Sequence, residues 1–157
     1  MTADRNATDD HRSELDRKQL IALGRTIVTE RLERIGCTVN APSTRGGSKL
    51  DVRTPSGRSV EVFVSTQREG GYAVWTKRRF QPADDRVAAV ALLAEGDEPA
   101  LYLVPSIEWR SASPPLVDRD NVGKKSEAEY GISLAHSSLP ALQRYLWDDE
   151  SARGLFH

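Results

Sequence analysis

The residues best placed to do chemistry are Asp51 and Glu61, which flank a Pro55-Ser56-Gly57 turn. The runs on either side alternate. Lys49 to Thr54 sets Leu50 and Val52 against Asp51 and Arg53, and Arg58 to Thr66 gathers Val60, Val62 and Val64 on one face. Successive strand residues point to opposite faces, and proline followed by glycine suits a tight turn. The pattern predicts a β-hairpin with both carboxylates on the face away from the valines, across neighbouring strands. Adjacent carboxylates repel unless a cation lies between them, and hard divalent cations take oxygen ligands. Asp51 and Glu61 are therefore the candidate catalytic and metal-ligating pair, with magnesium as the ion that would polarise a phosphate and activate a water there. The competing reading is a pair of solvated acids on an exposed strand face.

The surrounding elements must position this pair. Met1 to His11 is polar and aperiodic, which predicts a disordered tail. Leu15, Leu20, Leu23, Ile27, Val28, Leu32 and Ile35 then recur at helical steps, with Gly36 as a C-terminal stop. Cys37 to Asn40 reads as a short strand, ended by a loop that holds Gly46 and Gly47. Beyond the hairpin, Tyr72 to Lys77 is a third strand, followed by a doubly buried strand from Arg86 to Leu93 and a short one from Leu101 to Val104. Ser111 to Lys125 and Glu127 to Gly131 read as loops, and Ser138 to Trp147 as a closing helix. The expected organisation is one domain over residues 12–148, with residues 149–157 as a C-terminal tail.

A long helix ending in Gly36, a strand bearing Asp51, and a strand bearing Glu61-Val62-Phe63 together resemble the PD-(D/E)XK, or restriction-endonuclease-like, nuclease superfamily. The likeness spans roughly Leu20 to Val104. It implies an α/β fold in which a central mixed β-sheet of about five strands is flanked by helices. The family motif places Asp on one strand and Glu-x-Lys on the next, and here Phe63 stands where the lysine belongs. That lysine orients the water nucleophile and stabilises transition-state charge in active members; phenylalanine does neither. A glutamate that related nucleases carry early in the first helix is Arg25 here, and Glu30 lies on another side of the helix. Lys49, Lys77 and Gln67 are the candidate substitutes for the missing lysine. The basic triplet Lys77, Arg78 and Arg79 is a candidate nucleic-acid contact, and Phe63, Tyr72 and Trp75 add aromatic character that suits base stacking.

Composition limits the partners. Lys and Arg number 22 against 23 Asp and Glu, a formal net charge of −1, so bulk positive charge does not hold this chain to nucleic acid. A single cysteine, Cys37, excludes an intramolecular disulfide and a cysteine zinc site. The polar N-terminus lacks a signal-peptide core, and no apolar run reaches the roughly 18–20 residues that span a bilayer, which predicts a cytoplasmic protein away from membranes. The leading expectation is a catalytically impaired nuclease-like protein that binds DNA or RNA or serves in assembly. One alternative is an active magnesium-dependent nuclease with a migrated lysine, which would make magnesium its cofactor. The other is a protein-interaction subunit with no nucleic-acid role. The resemblance also implies a homodimer.

Overall fold

A computed structural model of the chain describes residues 17–40, 49–68, 70–93 and 98–157. The expected tail over residues 1–11 and the glycine loop before Lys49 lie outside the described residues. The first element is helix α1 (Arg17–Arg34), which buries Gly24, Val28 and Leu32. Gly36, at φ 93°, ends it in the left-handed region that glycine enters without steric cost.

Five strands form the main sheet: β1 (Thr38–Asn40), β2 (Lys49–Arg53), β3 (Ser59–Arg68), β5 (Arg86–Leu93) and β6 (Ala100–Pro105), in the order β1-β2-β3-β5-β6. All neighbours are antiparallel except β3 and β5, which run parallel. The chain is thus mixed α/β with a five-stranded mixed sheet, as the sequence predicts. The hairpin pairing is also as expected, with Asp51 opposite Glu61.

Both faces of this sheet are covered, by different layers. Leu50, Val52, Val60, Val62, Val64, Ala89, Ala91, Leu101 and Leu103 pack with α1 in a first core. Phe63, Ala88, Val90, Leu92, Tyr102 and Val104 face the other way into a second core. That second core is closed by a three-stranded sheet of β4 (Tyr72–Thr76), β8 (Glu129–Ser133) and β7 (Leu116–Arg119), in the order β4-β8-β7.

This second sheet corrects the sequence reading in three places. The strand at Tyr72 leaves the main sheet, because parallel β3 and β5 need a long crossover, and the chain between them provides it with β4 inside. Within the expected Ser111–Lys125 loop lies β7, and Glu129–Ser133 is a central strand rather than a loop over a sheet edge. The closing helix is also shorter than expected. Residues 136–145 form single turns around helix α2 (Leu139–Leu142), and Leu146 then bridges to Tyr102.

The expected C-terminal tail is instead helix α3 (Asp149–Leu155), whose Ala152 and the following Phe156 are buried in the first core. With the partly buried Leu155 these are the apolar residues that dock so short a segment, too few for a periodic signal. Arg58, in the β2–β3 turn, secures it by donating from Nη2 to the Leu155 carbonyl at 2.7 Å and from Nε to the His157 carbonyl at 3.1 Å. Arg58→Ala should lower stability by about 1 kcal/mol, read as a shift in the urea midpoint. An unchanged midpoint would mean that the apolar contacts alone hold α3. No helix among the described residues is long and apolar enough to cross a membrane.

Candidate functional site

Asp51 and Glu61 lie side by side in one row that runs across four strands, Asn40–Asp51–Glu61–Arg86. The row sits on the second-core face of the main sheet, beyond the area that the second sheet covers. Asn40, Asp51, Arg53, Ser59, Glu61 and Asp85 line a cleft there of about 270 Å³. The side chain of Asp51 is 53% exposed and that of Glu61 35%, so both reach water.

Lys49 is the candidate substitute that the fold brings to the pair. It stands opposite Phe63 in the hairpin register. Its Nζ lies 3.8 Å from Asp51 Oδ1 and 3.8 Å from Glu61 Oε1. A second cation, not foreseen from sequence, completes the cluster: Arg86 Nε is 3.6 Å from Glu61 Oε2. Its place depends on the parallel β3–β5 pairing, which local pattern does not encode.

The other candidates are elsewhere. Gln67 is six residues along β3 from Glu61, about 20 Å at strand rise, and its Nε2 donates to Ser65 Oγ at 3.0 Å. Lys77 follows β4 on the second sheet, where it donates to Asp118 and, at 2.7 Å, to Asp120. Those bonds, with Asp118 first, hold its ammonium charged well above the usual lysine range. Arg78 lies 3.4 Å from Glu127. Much of the basic triplet is therefore neutralised within the chain, and only Arg79 keeps an exposed guanidinium without an ion pair among the described residues.

Phe63 has become core. It is 7% exposed and meets Phe80 edge to face at 5.0 Å between ring centres. Trp75 is likewise buried, 5.4 Å from Phe80. Of the three aromatic residues proposed for stacking, Tyr72 alone stays on an outer surface. The helix position of the missing glutamate is also set apart. Arg25 lines a separate cleft with Glu30, Val39 and Leu50 on the α1 side of the sheet. Leu50 alternates with Asp51, so that cleft opens on the opposite face from the carboxylates.

The donor set decides how well magnesium suits the site. Two carboxylates supply suitable oxygens, but an ion between them would sit against the Lys49 ammonium and near the Arg86 guanidinium. Like charges at such distances repel by kilocalories at a partly exposed site. Among the described residues no group of three or more His, Cys, Asp and Glu side chains is gathered as metal ligands. As arranged, Lys49 and Arg86 already hold the places beside the two carboxylates that a cation would take.

No protein-family model matches the chain, and no curated protein matches it. Among solved structures it is similar to Hjc, a Holliday junction resolvase from the archaeal hyperthermophile Archaeoglobus fulgidus. That likeness covers 87% of this chain and 97% of that chain, at 13% sequence identity and a TM-score of 0.43.

Proposed function

We propose that this chain is a PD-(D/E)XK-like protein that binds nucleic acid without cleaving it. The observation that carries the reading is the closed charge cluster: Lys49 and Arg86 balance the carboxylates of Asp51 and Glu61. With Phe63 committed to the core, the strand position that carries the family's lysine presents an aromatic ring instead of an ammonium. The carboxylate pair then serves as an ionic tie between β2, β3 and β5 rather than as a metal seat.

Calorimetry with manganese tests this on wild type and Lys49→Ala. Wild type should bind no ion, whereas Lys49→Ala should gain binding, because removing the ammonium leaves two facing carboxylates with Arg86 as their remaining cation. Binding by wild type that disappears in Asp51→Ala would overturn the reading.

One observation favours a second reading. The Lys49 ammonium lies within 3.8 Å of both carboxylates, one strand away from the usual lysine position. A relocated lysine of this kind would belong to an active magnesium-dependent nuclease. Magnesium-dependent cleavage of DNA that is lost in both Asp51→Ala and Lys49→Ala would establish that reading instead.

A further inference from the structure

The outward face of the second sheet differs from its inward face in chemistry. Ala73, Trp75, Leu116 and Ile132 point into the second core. Alternation places Tyr72, Val74, Thr76, Val117, Arg119 and Glu129 outward. The register brings Val74 and Val117 to either side of Gly131.

Gly131 makes room for the ring of Tyr72. A Cβ at that position would lie 2.6 Å from a Tyr72 ring carbon, so any side chain would displace the ring. The Arg119 guanidinium caps the ring at 4.8 Å from its centre. Arg119 is 51% exposed and has a single ion pair among the described residues, at 3.7 Å to Glu129. The Tyr72 hydroxyl is buried and has no hydrogen-bond partner among the described residues, so the ring, not the hydroxyl, is what this face offers. Val74, 44% exposed, borders this stack. Beyond Arg119 the same hairpin carries Lys124 and Lys125, both exposed and without an ion pair among the described residues.

An aromatic ring topped by a half-exposed guanidinium, with two exposed ammonium groups further along one hairpin, matches the alternating chemistry of a single strand. Bases stack on rings and arginine planes, and phosphates pair with cations. We propose that this face, centred on Tyr72 and Arg119, binds single-stranded nucleic acid. One base stacks on the Arg119 guanidinium that lies over the Tyr72 ring, and the neighbouring phosphates meet Lys124 and Lys125. The inference rests on the nucleic-acid-binding function proposed above, and it moves the contact surface from the basic triplet to the second sheet.

Fluorescence anisotropy with labelled dT15, U15 and a 15-bp duplex tests it. Both single strands should bind more tightly than the duplex; a preference between dT15 and U15 would tell which nucleic acid the face takes. Tyr72→Ala should weaken single-strand binding about 5- to 150-fold, the range for losing one stacked base, while Tyr72→Phe keeps it. Arg119→Ala, which leaves both cores untouched, should weaken binding too, and Lys124→Ala with Lys125→Ala should flatten the salt dependence. Wild-type affinity in folded Arg119→Ala and Tyr72→Ala would overturn this inference while leaving the proposed function standing. Failure of wild type to bind any of the three probes at low salt would overturn both.

Discussion

Phe80→Ala is expected to destabilise the protein by about 3–5 kcal/mol, the range for deleting a fully buried phenylalanine. Phe80 is 0% exposed and lies just after β4, where its amide donates to the Thr76 carbonyl. Its ring centre is 5.0 Å from that of Phe63, 5.4 Å from that of Trp75 and 5.3 Å from that of Trp109. Tyr130 lies edge-on at 6.5 Å as well, and such ring packing adds to simple burial, so one truncation strips contacts from four rings at once. The consequence reaches the candidate site, because Phe63 is two residues from Glu61 on β3 and leans on Phe80. Urea denaturation followed by tryptophan fluorescence measures the loss. A cost below about 1.5 kcal/mol would mean that the large neighbours collapse into the space and that this core is not tightly packed.

Gly24→Ala is a sharper test, because two effects oppose each other. Alanine in a helix interior is worth about 1 kcal/mol over glycine, so propensity alone predicts stabilisation. Here α1 crosses β3 so closely that a Cβ on Gly24 would sit 1.8 Å from Thr66 Oγ1. Threonine is stiff about χ1, and forcing atoms into a packed layer costs about 1–3 kcal/mol. We expect net destabilisation. Thr66→Ala alone should be well tolerated, since the Thr66 hydroxyl is buried without a hydrogen-bond partner among the described residues. In the double variant the remaining neighbours stand at 3.1 and 3.4 Å, and much of the loss should return. The quantity to extract is the coupling energy of the cycle, negative for rescue when destabilisation is counted positive. Additive behaviour, or a Gly24→Ala protein as stable as wild type, would mean that the helix rides higher over the sheet.

The parts of this fold that the sequence discloses are those whose signals are local. The β2–β3 hairpin announces itself through two alternating runs around Pro55-Ser56-Gly57, and that alternation suffices to aim Asp51 and Glu61 to one side. The apolar run from Val87 to Leu93 likewise marks a strand covered on both faces. Pairings between distant segments leave no such mark. β4 and β8 join Tyr72–Thr76 to Glu129–Ser133, and the glycine inside β8 weakens its strand signal while serving the Tyr72 ring. For this reason Lys77 reads from sequence as a neighbour of the carboxylates, although its strand belongs to the other sheet. The place of Arg86 beside Glu61 is hidden for a related cause, since a parallel partner cannot be assigned from alternation. In the last segment, Asp149 to Phe156, only Ala152 and Phe156 are deeply buried, too few to set up a periodic pattern.

The two cores also differ in how far along the chain they reach. The second core takes all its buried members from Phe63 to Tyr145, whereas the first needs Val28 at one extreme and Phe156 at the other. One is nested inside the other like an inner bracket within an outer one. Closing a longer loop costs more chain entropy, and contacts of high sequence separation are reached more slowly. Entropy therefore favours assembly from the inside outward. The aromatic core can gather once residues up to Tyr145 are present, and the helix-covered core is sealed only when the final turn docks.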